Sequence, residues 1–286
     1  MRYEAPETLD AAVRLLSSES GLKKVLAGGT DLLVQMRTDL IHPDLVVDIK
    51  GISELCQITQ ENGGYRIGAA VTGAELEEHP TLSKDWPGVV EGANLIGSTQ
   101  IQGRCTMGGN LCNGSPAADS VPGLIAAAAT VTVAGPKGQR EIPVEDVMVG
   151  PRKLSIGADE FVVSFFLPAR PAHAADAYER FIPRTEMDIA VVGAATNLVL
   201  DGSGKITEAR VSLGAVAPRP LLVKECADSI IGTSLDDEAL KKLDAAAQAA
   251  CKPIDDKRGT IEYRTKVAGV LARRTAQTAY DRARNK

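Results

Sequence analysis

The sequence predicts an α+β protein: a mixed helix-and-strand region through residue 172, then a smaller unit of antiparallel strands and packed helices over 173–286. Three observations carry this. Apolar spacing switches between the helical and the strand period over short distances. Two long strand-like runs, Ile189–Leu200 and Ile206–Ala217, flank the five-residue glycine turn Asp201-Gly202-Ser203-Gly204-Lys205, a hairpin signal. A length of 286 residues suits about two domains, and a break falls between Leu167 and Ala175, where Pro168-Ala169-Arg170-Pro171 follows an apolar strand.

The elements follow in order. Leu9, Ala12, Val13, Leu15 and Leu16 share one helical face. Lys23–Ala27 is a short strand ending at Gly28-Gly29, and Asp31–Met36 resumes helical spacing. Strands are expected at Leu45–Ile49 and Tyr65–Ala69, either side of the polar turn Glu61-Asn62-Gly63-Gly64, and helices at Thr72–Glu78 and Pro87–Leu95. From Gly97 to Gly123 glycine, serine, asparagine and proline dominate, which predicts a long binding loop. A helix over Leu124–Ala129, a strand over Thr130–Ala134, a Pro-Lys-Gly turn and strands near Arg140–Ile142 and Phe161–Leu167 follow. Helices at Asp236–Ala250 and Gly259–Arg284 close the chain; the last is amphipathic, suited either to internal packing or to a partner.

Composition excludes several functions. The hydrophobic fraction is 44%, the charged fraction 24% and the net charge −5, without the clustered Lys and Arg that nucleic-acid phosphates require. No apolar run approaches the ~20 residues of a membrane span, and the first residues carry no apolar signal core. Three histidines (His42, His79, His173) and five cysteines form no C-x-x-C or His-Cys cluster, so no local metal cage is written here. The odd cysteine count without a secretion signal suits reduced thiols and a cytoplasmic setting. Cys105 and Trp86 read as packed side chains.

Two stretches carry candidate chemistry. In Val25-Leu26-Ala27-Gly28-Gly29-Thr30-Asp31-Leu32-Leu33 a strand runs into paired glycines and a helix start. Successive N–H groups there can converge on an anion, or Thr30 or Asp31 can simply cap a tight turn. Thr106-Met107-Gly108-Gly109-Asn110 through Ser115-Pro116-Ala117-Ala118-Asp119 repeats the Gly-Gly with hydroxyl and amide neighbours and ends in a carboxylate at a helix start. Two such loops in one chain suit a long diphosphate ligand. Neither is the G-x-G-x-x-G fingerprint or a Walker loop.

In this order and separation the two loops resemble those of the FAD-binding medium subunit of molybdenum hydroxylases, the xanthine dehydrogenase and carbon monoxide dehydrogenase group. The likeness extends to Ile67-Gly68-Ala69-Ala70-Val71-Thr72, Ile96-Gly97-Ser98-Thr99-Gln100-Ile101, Met187-Asp188-Ile189-Ala190 and Glu262-Tyr263-Arg264, nearly the whole chain. The resemblance implies a two-lobed FAD-binding domain over 1–172, with a small α/β lobe (about 1–55) and a larger α+β lobe (56–172), followed by a C-terminal flavoprotein domain over 173–286. Ala27, Gly28, Gly29, Thr30, Asp31 and Leu32, with Gly108 and Gly109, would hold the FAD diphosphate. Thr106 and Asn110 would add polar contacts, and Asp119 would accept from the cofactor's hydroxyl chain. Ile96, Ser98 and Ile189 would lie near the isoalloxazine ring. Val162 would offer backbone contact at one end of FAD, and Arg180 would stand where relatives place a flavin-stabilising lysine.

The resemblance further implies an electron-transfer oxidoreductase subunit in a dimer of heterotrimers. Its partners would be an iron–sulfur small subunit with 2Fe-2S clusters and a large subunit with the molybdopterin cofactor; electrons would leave FAD for NAD+, a quinone or O2. Relatives often carry Gln-Val/Ile-Arg-Asn-Arg-Gly-Thr before the second loop, whereas this chain reads Gln100-Ile101-Gln102-Gly103-Arg104-Cys105-Thr106. No inserted four-cysteine loop is present, so an extra cluster is not expected. Two rival readings remain: a non-redox protein binding a nucleotide or phosphorylated ligand, and a stand-alone flavin oxidase. The second wants a catalytic acid–base set, which the sequence does not display.

Overall fold

A computed structural model describes residues 1–18 and 20–286. The chain opens with β1 (Arg2–Glu4), α1 (Leu9–Ser18), β2 (Lys23–Leu26), α2 (Leu32–Arg37) and β3 (Leu45–Asp48). The three strands form a parallel sheet in the order β1-β3-β2. β3 lies in its middle and is buried at all four residues, as a parallel strand covered on both faces must be. Ala12 and Leu16 of α1 pack on Leu45, Val47 and Ile49, and the same cluster reaches Phe161 and Val163 of a later strand. The first lobe is therefore fused to the second through a shared core.

Next come β4 (Ile58–Glu61), β5 (Gly64–Gly68), α3 (Gly73–Glu78), α4 (Leu82–Asp85), α5 (Pro87–Asn94), α6 (Met107–Cys112), α7 (Ser120–Ala126), β6 (Thr130–Gly135), β7 (Gly138–Pro143), β8 (Met148–Gly150), β9 (Lys153–Leu154) and β10 (Phe161–Leu167). Five of the strands make an antiparallel sheet, β4-β5-β10-β6-β7. Phe165 and Ile67 on its inner face meet Trp86, Val89, Leu111, Val121 and Leu124 from the helices. Thr72 starts α3 with a reciprocal capping box to Glu75.

The stretch 97–123 is more ordered than its composition suggests. It holds a 3-10 turn (Thr99–Ile101), the whole of α6 and the start of α7. α6 forms although two of its six residues are glycine, because the Thr106 hydroxyl caps it by accepting the Gly109 N–H at 2.9 Å. α7 starts at Ser120 rather than Leu124 because the Asn110 side chain accepts both the Ser120 N–H (3.1 Å) and its hydroxyl (2.8 Å). It ends at Ala126, and Ala128 takes the left-handed conformation at φ 55°.

The remainder comprises β11 (Ala174–Phe181), β12 (Val192–Leu200), β13 (Ile206–Gly214), β14 (Leu221–Leu222), α8 (Lys224–Ile230), α9 (Asp237–Ala250) and α10 (Ile261–Arg284). Its sheet is antiparallel in chain order. β11 begins at Ala174, inside the segment expected to be a connection; its alanines make room for close packing between α5 on one side and α10 on the other. The hairpin strands are shorter than expected, starting at Val192 and stopping at Gly214. α10 packs internally through a small-residue stripe, Ala268, Ala272, Thr275, Ala276, Ala279 and Ala283, with Thr275 hydrogen-bonded to Thr196 at 2.9 Å. This is the internal packing that its amphipathicity suits, while Ile261 and Tyr263 near its start stay exposed.

One buried ion pair ties the last unit to α5. Arg170 bonds Asp176 at 2.8 Å and stacks its guanidinium 3.7 Å from the Trp86 ring, while Asp176 also accepts the Val89 N–H at 3.1 Å. Trp86 is thus a packing anchor, as expected. Among the described residues no helix is long and apolar enough to cross a membrane, and no three metal-ligating side chains cluster.

Candidate functional site

The two glycine loops face each other. β2 delivers Ala27-Gly28-Gly29 to the start of α2, and Thr106 delivers Gly108-Gly109 inside α6. The fit leaves no space for side chains at the crossing. A Cβ on Gly28 would lie 1.9 Å from the Arg104 carbonyl oxygen, and one on Gly108 would lie 2.5 Å from that of Ala69. These glycines are required by the protein's own backbone packing, a reason the sequence does not show. Gly29 needs its left-handed φ of 77° to turn the chain into α2. Gly109 is different: a Cβ there would meet only the Thr106 hydroxyl, at 3.1 Å.

Side chains brace the pair. Lys50 donates to the Ala27 carbonyl at 3.0 Å, and Gln35 of α2 reaches Asn113 beyond α6 at 3.0 Å. Asp31 stands at the N-cap of α2 but makes no side-chain cap hydrogen bond. Among the described residues the backbone N–H groups of Gly28 to Leu32 have no protein acceptor. Five unpaired backbone donors in the wall of one cleft suit an anion.

Two adjoining cavities meet at this crossing. One, of about 230 Å³, is walled by Ala27–Leu32, Gln35, Ile41, Ile96, Thr106, Gly109, Asn110 and Asn113. The other, of about 400 Å³, is more apolar, with Leu22, Gly108, Leu154, Ile156, Ala158, Phe161 and Val162 in its walls. Lys24, Val25, Ala27, Gly109, Cys112 and Arg152 line both. Among the described residues the Lys24 and Arg152 side chains have no hydrogen-bond or ion-pair partner in the protein. Two unpaired cations thus line the same cleft as these backbone donors. Together the cavities fall within the ~300–1,000 Å³ of ordinary cofactor pockets.

Twelve sequence candidates therefore come together in these walls: Ala27 to Leu32, Ile96, Thr106, Gly108, Gly109, Asn110 and Val162. Four stand outside them. Ile189 is half-exposed on the turn between β11 and β12. Ser98 is buried at the start of the 3-10 turn. Asp119 and Arg180 are buried as an ion pair at 2.7 Å. Asp119 also accepts the Tyr178 hydroxyl at 3.0 Å, and Arg180 donates to the Leu95 carbonyl at 2.8 Å, directly behind Ile96. Burial, outweighing the Arg180 guanidinium, pushes the Asp119 carboxyl up to about 6. Asp119 thus meets Tyr178 and Arg180 in this structure, and it supports the wall from behind. The sequence reading missed Lys24, Gln35, Asn113, Arg152 and the apolar Leu154–Ala158 stretch. The signals were consecutive lysines in a strand before a Gly-Gly turn, and an arginine in a short loop, Gly150-Pro151-Arg152.

Comparison with known proteins places this geometry. Residues 1–170 match the FAD binding domain in molybdopterin dehydrogenase, and residues 177–279 match the CO dehydrogenase flavoprotein C-terminal domain. The carbon monoxide dehydrogenase medium chain of Afipia carboxidovorans is 35% identical over 99% of this chain and 98% of its own. A putative xanthine dehydrogenase FAD-binding subunit of Escherichia coli is 31% identical over 97% of this chain and 95% of its own. Among solved structures, CO dehydrogenase from Oligotropha carboxidovorans superposes with a TM-score of 0.94 at 34% identity, covering 99% of this chain and 98% of that one. The two cavities and their glycine crossing lie wholly within the first matched region, and the chain belongs to the FAD-binding subunits of the molybdopterin dehydrogenases, a family of oxidoreductases.

Proposed function

We propose that this chain stretches one FAD across the glycine crossing and relays electrons from an iron–sulfur partner to an external acceptor. The observation that carries the cofactor placement is the set of unpaired donors, Gly28 to Leu32 N–H with Lys24 and Arg152, at the junction of a polar and an apolar cavity. A diphosphate fits that junction in charge and in donor geometry. The apolar cavity, with Leu154, Ile156 and Val162, suits the adenine. The polar cavity, with Gln35, Asn110 and Asn113, suits the hydroxyl chain, and its Ile96 wall suits one face of the isoalloxazine ring.

Bound FAD supplies the redox chemistry, exchanging electrons one or two at a time. The protein's residues bind and orient. The two loops fix the diphosphate, Asn110 joins the wall to the start of α7, and the Asp119–Arg180 pair holds the backbone behind Ile96. Among the described residues no hydrogen bond joins a nucleophilic side chain to a base in the walls of either cavity, which supports a relay over a stand-alone flavin oxidase.

The proposed partners are a small subunit with 2Fe-2S clusters and a large subunit with the molybdopterin cofactor, assembled as a dimer of heterotrimers in the cytoplasm. Relatives described as medium chains and FAD-binding subunits support this reading, as does a solved carbon monoxide dehydrogenase from Hydrogenophaga pseudoflava described as lacking the Mo-pyranopterin moiety. The test is affinity purification of the tagged chain from its own cells. Co-purification of iron–sulfur and molybdopterin subunits is expected, with flavin reduced only through them and reoxidised by NAD+, a quinone or O2. A chain that purifies alone and whose flavin is reduced directly by a small substrate would overturn the proposal.

A further inference from the structure

Where α5 ends, three consecutive carbonyls are each held by a buried side chain. Gln102 Nε2 donates to the Asn94 oxygen at 2.9 Å and to the Ile96 oxygen at 2.7 Å, and Arg180 Nη1 holds the Leu95 oxygen between them at 2.8 Å. Gln102 is itself fixed. Its amide oxygen accepts the Cys105 thiol at 3.4 Å and lies where a Cβ on Gly73 would come within 1.9 Å, so the side chain has no free space beside Gly73.

Peptide planarity gives this clamp a consequence. In a trans peptide the carbonyl and the following N–H point in opposite directions, and the chain has no cis bond. With the Ile96 carbonyl turned onto Gln102, the Gly97 N–H is turned the other way. That N–H has no acceptor among the described residues, Gly97 is part-exposed, and the peptide it belongs to begins at Ile96, a wall of the polar cavity. An unpaired donor fixed in direction beside a cofactor cavity is a recognition element.

We infer that Gln102 is a positioning residue: by holding the Ile96 carbonyl it aims the Gly97 N–H at the polar edge of the flavin ring. The inference rests on the FAD reading above.

The test uses the purified full chain and FAD. Gln102→Leu removes both donors and should weaken FAD binding roughly 10-fold and shift the visible circular dichroism of the bound flavin. A folded Gln102→Leu chain with wild-type affinity and an unchanged flavin spectrum overturns the inference, as does one that loses thermal stability alone. If that variant does not fold, hydrogen exchange at the wild-type Gly97 amide decides: slower exchange on adding FAD supports the donor role, and unchanged exchange refutes it. Failure of the wild-type chain to bind FAD would instead sink the cofactor reading itself.

Discussion

Replacing Gly28 with alanine probes the crossing on which the site depends. The new Cβ would start 1.9 Å from the Arg104 carbonyl oxygen and 2.8 Å from its carbon, both backbone atoms. No flexible side chain can swing aside, so the loops must part by about 1 Å before the contact reaches even a strained 3.0 Å. Overpacking of this kind costs roughly 1–3 kcal/mol. The displaced segment leads directly into Thr106 and α6, so the second half of the diphosphate cradle moves with it. We expect a Gly28→Ala chain to unfold at lower denaturant and to bind FAD roughly 10-fold more weakly or worse. Gly109→Ala is the counterpart. Its Cβ meets only the Thr106 hydroxyl, so the apo chain should keep its stability to within ~0.5 kcal/mol, while a methyl enters the cleft shared by both cavities and FAD affinity falls. Denaturant unfolding of the apo chains and fluorescence titration with FAD separate the two effects. A Gly28→Ala chain with wild-type stability and affinity would refute the packing argument.

Two further outcomes follow from the charges. Burial holds the Asp119 carboxyl up at about 6 in the folded chain, so the folded state binds that proton more tightly than the unfolded state does; wild type should therefore lose stability relative to Asp119→Asn as pH rises from about 4 to about 6, with no further loss above. Denaturant unfolding of both chains across that range checks it, and a gap that moves in favour of wild type would contradict the sign. Removing both unpaired cations, Lys24→Ala with Arg152→Ala, should weaken FAD binding roughly 10-fold or more and flatten its dependence on salt; equal affinity and equal salt dependence would show that neither meets the diphosphate.

The parts of this protein legible in the sequence were those with local causes. Paired glycines after a strand, the helix over Thr72–Glu78, the Asp201–Lys205 hairpin and the amphipathic last helix each carry their signal within a few residues. β11 was hidden because its Ala174-Ala175-Asp176-Ala177 start has little strand character of its own and is placed by α5 and α10. α6 was hidden because glycine disfavours helix and the compensating cap lies outside the helix itself. At the site, Asp119 and Arg180 were both recognised as candidates, but their pairing across 61 residues is a tertiary fact. Arg152 carries no motif; only the fold brings it to the same junction as Lys24. The small stock of histidines and the unpatterned cysteines acquire a reason here, since the cleft is built mainly from backbone donors.

The most direct test of the central claim is titration of the purified, folded chain with FAD, followed by its visible spectrum and stoichiometry. We predict one FAD per chain with flavin bands perturbed from free solution, and competition by ADP, which carries the adenine and diphosphate but not the ring. A folded chain that stays colourless under reconstitution, or that binds ADP and FAD equally well with an unperturbed flavin spectrum, would contradict a cofactor stretched across both cavities.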